Sequence, residues 1–296
     1  MNILLSGASG LIGSALRLEL RRAGHEVVAL SRDGAGSGAP WEVDTGRVFL
    51  GDFAPDALIH LAGESIVSGK WTEERKQSIR ASRVEATRRL ADWFSVQPNR
   101  PRIVLSASAV GIYGNRNDKW LIETSPPSSE FLGQLCHDWE KAMQPLERGG
   151  SRVVSMRFGI VLSREGGALA KMLPYFKWGL GGPLGDGSQW MSWITLDDAV
   201  RAIFFLLEND NLSGPINVTT PNPVTNREFA QTLARTLKRP AMISTPGALL
   251  HMIYGEMAEE ALLASQRVRP LFLEEHAFQW GHPDLDLALA AILRRK

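Results

Sequence analysis

The chain has 296 residues and a formal charge of +1, from 33 Lys and Arg against 32 Asp and Glu, so it lacks the basic excess that drives binding to a phosphate backbone, and no nucleic-acid partner is expected. Its 44% hydrophobic and 22% charged residues suit one large globular domain or two modest ones, and the single cysteine, Cys136, excludes an internal disulfide or a cysteine-rich metal site. No apolar run nears the roughly 18 residues that span a bilayer, and Met1 to Gly7 lack the basic flank and long apolar segment of a signal peptide, so a cytoplasmic protein without a membrane partner is expected.

Short apolar runs at 3–6, 27–30, 57–62, 103–107 and 153–156 read as buried parallel strands, and stretches at 11–23 and 71–94 carry helical periodicity. Strands alternating with helices require crossover connections, so the expected fold class is α/β, a doubly wound parallel sheet with helices on both faces. Beyond about residue 160, glycines and prolines cut the chain into short pieces: Gly166-Gly167, the glycine-rich run 179–187, then Pro221, Pro223, Pro240 and Pro246. A smaller C-terminal lobe is expected over 166–296, against a nucleotide-binding domain over 1–165. A strand within 215–220 is expected to return to the sheet and interleave the two.

Directly after the first expected strand comes Ser6-Gly7-Ala8-Ser9-Gly10-Leu11-Ile12-Gly13, a G-x-x-G-x-x-G loop that opens an amphipathic helix. In a Rossmann-like dinucleotide site Gly7 permits the tight turn, Gly10 lets the backbone approach a pyrophosphate, and Gly13 lets helix and strand pack closely, with the N–H groups around Ser9, Leu11 and Ile12 facing the phosphates. The bland alternative is a tight strand-to-helix turn and nothing more. At the end of the second strand, where an NAD site would place an acid, the chain has Ser31-Arg32-Asp33. Arg32 suits a 2′-phosphate and Ser31 can add a hydrogen bond, so the expected cofactor is NADP(H). Otherwise Arg32 is merely solvated and Asp33 serves NAD.

Together with His60-Leu-Ala-Gly63, the serine strand Ser106-Ala-Ser-Ala-Val-Gly-Ile-Tyr-Gly114 and Trp193-Ile-Thr-Leu-Asp-Asp198, this loop resembles the extended short-chain dehydrogenase/reductases, which include the nucleotide-sugar epimerases. Glu64, Trp71, Ser82-Arg83, the run ending at Pro183, and Leu263-Ala-Ser-Gln-Arg-Val268 with Pro270 are more narrowly similar to atypical epimerase-family proteins of the YfcH-like type, whose C-terminal domain has no assigned role. The resemblance implies that Leu61, Ala62 and Gly63 lie beside the cofactor's ribose and phosphates and that Ile160 lies near the nicotinamide. It also implies that Arg83, four residues before Thr87, replaces a cofactor-contacting Asn. A cation there can reach a phosphate, hold the loop after Leu61, or lie on a helix surface.

In the superfamily a Tyr-x-x-x-Lys pair exchanges a proton with substrate oxygen. Here the tyrosines are Tyr113, Tyr175 and Tyr254, and four residues beyond each stand Asn117, Gly179 and Ala258. Aligned on Gly133 and Glu140, the resemblance puts Leu132 at the Tyr position and Cys136 at the Lys position. Three substitutes are considered. Ser108 stands near the family's substrate-binding serine, although Gly111-Ile112 suggests a one-residue slip. Tyr113 is an acid or a wall residue. Glu64 takes a proton if burial raises its pKa, or complements a helix dipole. His60 is expected as a satisfied core residue, His137 and Asp138 as a solvated helix face, and Asp197 and Asp198 as caps of a helix from about residue 199. Trp178, Trp190 and Trp193 either form a lid with the glycine-rich run or pack the lobe. The histidines are isolated and no metal-ligand spacing occurs. The function expected is an NADP(H)-binding reductase or epimerase-like protein acting on a small molecule, as monomer or homodimer. The alternative is a non-catalytic dinucleotide sensor, since some relatives of this type are associated with division of bacteria-derived organelles.

Overall fold

The structure, a computed structural model, describes residues 1–32, 38–241 and 243–294. The strands are β1 (Asn2–Ser6), β2 (Glu26–Ser31), β3 (Ala39–Pro40), β4 (Ala57–His60), β5 (Ile103–Ala109), β6 (Trp120–Leu121), β7 (Arg152–Phe158), β8 (Ile160–Leu162), β9 (Trp190–Met191), β10 (Trp193–Thr195), β11 (Gly214–Val218), β12 (Val224–Thr225) and β13 (Arg267–Val268). The helices are α1 (Leu11–Arg22), α2 (Glu73–Arg80), α3 (Ala86–Ser95), α4 (Phe131–Lys141), α5 (Gln144–Arg148), α6 (Gly167–Lys177), α7 (Leu196–Glu208), α8 (Asn226–Leu237), α9 (Gly247–Tyr254), α10 (Leu271–Glu275) and α11 (Leu285–Arg294).

Seven parallel strands form the central sheet in the order β11-β7-β5-β4-β1-β2-β3. Side chains alternate across it. Ile3 and Leu5 of β1 with Ile103 and Leu105 of β5 meet Leu16 and Leu20 of α1 and Ile203 and Leu206 of α7, whereas Leu4, Leu58 and Val104 meet Leu90, Ala91 and Phe94 of α3. Burial on both faces is why these strands are continuous apolar runs in the sequence. Chain order reverses about β1, which lies between β2 and β4, and the turns leaving β1 and β4 open into the resulting crevice, where such sheets bind ligands.

Three expectations need correction. The strand expected over 57–62 stops at His60, because the Leu61 and Ala62 amides turn inward to the Ser6 hydroxyl, at 3.1 and 3.3 Å. The helix expected over 71–94 begins at Glu73, capped by Thr72, and is interrupted by a π-helical turn at Ala81–Glu85 before α3. The helix expected near residue 199 starts at Leu196, and its cap is Thr195, whose hydroxyl accepts the Asp198 amide at 3.0 Å. The buried Asp198 carboxylate instead accepts the amides of Gly281 and His282 and so ties the C-terminal segment to α7.

Away from the sheet, Leu169, Leu173 and Phe176 of α6 pack with Trp193, Phe229 and Leu233 of α8, and Leu289 of α11, as a separate core. Trp193 is fully buried there, Trp190 is bonded to Asp118 at 2.8 Å and stacked on Arg267, and Trp178 is 82% exposed. Three different environments replace the expected alternatives of one lid or one packed group. Among the described residues no helix is long and apolar enough to cross a membrane.

Candidate functional site

The glycine loop lies between β1 and α1. Gly7 has φ +69°, and a Cβ there would come within 2.7 Å of the Leu61 backbone. A Cβ on Gly13 would lie 2.1 Å from the Gly7 carbonyl oxygen, so two glycines are demanded by close backbone approach. Gly10 differs: a Cβ there would meet nothing nearer than the Gly7 oxygen at 3.3 Å. The missing side chain therefore leaves room in front of an α1 N-terminus that has no side-chain cap. Ser9 is exposed, Leu11 and Ile12 are partly exposed, and the Leu11 side chain lies beneath Gly166 and Gly167 of the later lobe. Arg32 is exposed just past β2, next to partly buried Ser31. Asp33, the alternative NAD ligand, lies outside the described residues. Ile160 begins β8, its amide donating to the Ser192 carbonyl at 2.8 Å.

The second wall, Leu61 to Glu64, is held from beneath by a buried polar chain. Ser6 Oγ accepts the Leu61 and Ala62 amides, so its own proton goes to His60 Nδ1 at 2.7 Å, and Nε2 then donates to Thr87 Oγ1 at 2.9 Å. Thr87 Oγ1 also accepts the Trp139 indole N–H at 3.0 Å. His60 is a neutral core residue whose pKa burial pushes down from 6.5 to about 4. Its folded pKa is depressed, so the unfolded chain binds the proton first. The stability gained by keeping this ring neutral is complete above pH 6.5 and is lost as pH falls toward about 4, at up to about 1.4 kcal/mol per pH unit. The His60 ring resonances should keep their neutral positions in the folded protein at about pH 5; a midpoint near 6.5 would contradict this network.

Arg83, on the π-helical turn, holds the same loop from above. Its guanidinium donates to the Glu64 carbonyl at 2.7 Å, sits 5.1 Å from the Trp139 ring centroid, and packs so closely on Gly63 that a Cβ there would lie 3.2 Å from it. Of the roles considered for Arg83, loop holding is the one this geometry shows. The π-turn that aims it has no signature in the apolar spacing.

The three considered proton donors are all engaged. Glu64 requires correction: its side chain is 38% exposed, and the Ser78 hydroxyl and the Arg75 guanidinium hold its carboxyl below the usual range instead of burial raising it. Ser108 donates to Glu140 Oε1 at 2.7 Å. Tyr113 is fully buried, donates to Asn217 Oδ1 at 2.7 Å and accepts from Arg157 at 2.9 Å, and burial pushes its pKa up to about 12. Arg157 also grips Glu140 with two bonds of 2.8 Å. The result is a buried lattice joining β5, α4, β7 and β11. Glu140, Arg157 and Asn217 were not singled out as site-forming because their partnership spans distant strands.

Leu132 and Cys136 face this region from α4. Both are buried, Leu132 against Gly111, and burial pushes the Cys136 thiol up to about 12. At the start of α4, Glu260 of the C-terminal lobe accepts the Leu132 amide at 2.7 Å and the Phe131 amide at 3.3 Å. Burial, and then the neighbouring Glu256, push its carboxyl up to about 6, while Glu256 pairs with Lys76. No local sequence pattern links residues 260 and 132. A separate groove of about 1030 Å³ between α1 and α7, lined by Leu18, Val200 and Phe204, shares none of these groups. Among the described residues no cluster of metal-ligating side chains occurs.

The model of the NAD dependent epimerase/dehydratase family matches residues 3–219, and that of a domain of unknown function, DUF1731, matches 245–292. An epimerase family protein of Mycobacterium bovis is 41% identical over 295 residues, covering 97% of this chain and 96% of the relative. The chloroplastic epimerase family protein SDR39U1 homolog of Arabidopsis thaliana is 34% identical over 308 residues, 99% of this chain and 87% of its own length. Among solved structures, human epimerase family protein SDR39U1 (isoform 2) with NADPH superposes with a TM-score of 0.92 at 32% identity, covering 100% of both chains. Thermus thermophilus UDP-glucose 4-epimerase with NAD, at 20% identity and a TM-score of 0.76, shares the fold.

Proposed function

Since the chain belongs to the NAD-dependent epimerase/dehydratase family, we propose that it binds NADP(H) between the turns leaving β1 and β4 and is an atypical reductase or epimerase-like protein for a small molecule. The observation that carries this reading is the glycine loop: Gly7 and Gly13 are forced by contact, while Gly10 keeps an open space before an uncapped helix end. The pyrophosphate is assigned to Gly7, Ser9, Gly10, Leu11, Ile12 and Gly13, the 2′-phosphate to Ser31 and Arg32, the ribose side to Leu61, Ala62 and Gly63, and the nicotinamide side to Ile160. Arg83 shapes that ribose wall and brings a fixed cation beside Cys136, where the family's lysine would stand. When bound, the cofactor supplies a hydride at its nicotinamide. Residues 1–165 with the returning strand near 215–220 form the cofactor half, and 166–296 supplies most of the substrate side, with Glu260 reaching the start of α4.

A second reading, a dinucleotide sensor without turnover, is favoured by the engaged hydroxyls of Ser108 and Tyr113 and the apolar surroundings of Leu132 and Cys136. Both readings require NADPH to bind more tightly than NADH. A charge-assisted contact to the 2′-phosphate is worth about 1.5–3 kcal/mol, or roughly ten- to a hundredfold in affinity. Arg32→Ala is expected to erase that preference in calorimetry and leave NADH binding nearly unchanged. Equal affinities for the two nucleotides in the unmutated protein would exclude the NADP(H) assignment.

A further inference from the structure

Arg267 of β13 carries a charge that neither reading uses. Its guanidinium carbon lies 4.1 Å from the Trp120 ring centroid and 4.0 Å from the Trp190 ring centroid, so indoles from β6 and β9 cover it on two sides. Local pairing sets this up: Arg267 stands opposite Trp120 in the parallel ladder of β6 and β13, and the Gln266 amide donates to the Trp190 carbonyl at 3.0 Å. Leu121 and Val268, the next pair of the ladder, pack on the opposite side with Tyr113 and Cys136. Ser192 joins this segment to the wall assigned to the nicotinamide. Its hydroxyl donates to the Gln266 carbonyl at 2.7 Å and accepts the Val268 amide at 2.9 Å, while its carbonyl accepts the Ile160 amide at 2.8 Å. In the loop leaving β5, Asn115 Oδ1 accepts the Ser265 amide at 3.3 Å, and the Asn117 carbonyl accepts the Ser265 hydroxyl at 2.8 Å. Arg267 is thus fixed where the C-terminal lobe meets the carboxyl end of the sheet, the end at which such folds bind ligands.

Stacking on indoles leaves the hydrogen-bonding edge of a guanidinium unspent. Among the described residues Arg267 makes no ion pair and no side-chain hydrogen bond, and its Nε–H is buried without an acceptor, which leaves the terminal N–H groups facing solvent. The neighbouring arginines differ: Arg116 is spent on the carbonyls of Tyr113, Pro126 and Pro127, and Arg269 on Glu274. Trp120 is 49% exposed, so the slot opens to solvent beside it. On the rim, exposed Asp118, bonded to the Trp190 indole N–H at 2.8 Å, opposes the charge of exposed Lys119, so a ligand meets one stacked cation and not a cationic cluster. A carboxylate matches that single charge, and its two coplanar oxygens fit the edge of a guanidinium covered on both faces. A phosphate or diphosphate brings more charge and tetrahedral oxygens to the same edge, a poorer match on both counts.

We propose that Arg267, in the slot between Trp120 and Trp190, anchors the carboxylate of the small molecule taken up beside the cofactor, which makes that molecule an organic acid. This deepens the functional reading above and rests on it for the place of the nicotinamide. The test is a titration of the full chain, without cofactor, with sodium benzoate, sodium phosphate and sodium chloride at matched ionic strength. It is followed on the indole N–H resonances of Trp120 and Trp190, which Trp120→Phe and Trp190→Phe assign. Benzoate is expected to shift both resonances saturably, phosphate to bind more weakly, and chloride to act only through ionic strength. Arg267→Lys, which keeps the charge and loses the fork, should weaken benzoate at least about tenfold. Asp118→Asn keeps an acceptor for the Trp190 indole at an exposed position and should tighten benzoate by about two- to fivefold, so the proposal stays testable if Arg267→Lys fails to fold. A benzoate shift that follows ionic strength alone, tighter binding of phosphate than of benzoate, or benzoate binding indifferent to both changes would each overturn the proposal. NADPH affinity of the unmutated chain, measured separately, decides the cofactor reading, so the two failures are distinguishable.

Discussion

Offered a panel of simple aldehydes, ketones and nucleotide sugars, the protein is expected to hold NADPH and leave it unoxidised. Leu132 and Cys136, which the resemblance puts at the positions of the family's tyrosine and lysine, are both buried, and neither can deliver a proton to a developing oxyanion near neutral pH. Losing general acid catalysis costs about 10²–10⁴-fold in rate. Binding is not expected to fall in proportion, because the proposed site assigns the glycine loop and Arg32 to the pyrophosphate and adenosine end, away from α4. The measurement is NADPH absorbance over time at saturating cofactor, beside calorimetric affinity. Rapid consumption abolished by Gly10→Val, whose side chain fills the open space of the loop, would show that another group supplies the proton. Glu64→Gln, Ser108→Ala, Tyr113→Phe and Glu260→Gln would then be compared, and the variant losing rate but not affinity would identify it. Glu260 enters this set because its carboxyl is pushed up to about 6 and touches the first turn of α4.

Arg157→Met is expected to destabilise the fold by about 3–5 kcal/mol, the usual cost of leaving one member of a buried ion pair without its partner. The side chains of Arg157 and Glu140 are 7% and 13% exposed, so water cannot replace the two guanidinium bonds that the Glu140 carboxylate loses. Tyr113 loses its guanidinium donor in the same step, and Ser108 is left bonded to a carboxylate that Arg157 no longer holds, which couples β5, α4 and β11 to this one residue. Glu140→Gln in the Arg157→Met background should recover part of the loss, since the stranded charge is then gone. Urea denaturation of the single and double variants measures both terms. A cost below about 1 kcal/mol would place the pair with exposed surface bridges instead.

The glycine turn between β1 and α1 was legible because most of its requirements are local. The positive φ of Gly7 and the close approach of Gly13 to the Gly7 carbonyl arise within a few residues, whereas the contact of Gly7 with the Leu61 backbone does not, and the strands beside them announce themselves through apolar runs that reflect burial on two faces. His60 was also readable as a core residue, since an apolar strand leaves a histidine little alternative to a satisfied interior position. Glu64 was misjudged for the opposite reason. Its ionisation depends on Arg75 and Ser78, which reach it only once α2 has folded back over the loop.

The amino-acid sequence by itself determined the α/β class, the position of the glycine loop and the absence of a Tyr-x-x-x-Lys pair, because each is written in neighbouring residues or in a spacing of three or four. Tertiary structure alone decided which polar groups are already spent. Ser108 and Tyr113 meet Glu140, Arg157 and Asn217 from separate strands and helices, Glu260 reaches across 128 positions to Leu132, and the π-turn swings Arg83 onto Gly63. Hydrogen bonds and desolvation act over a few ångströms in space, whereas periodicity reports only which face a residue occupies, so the chemistry of these groups follows from the packing of elements far apart along the chain.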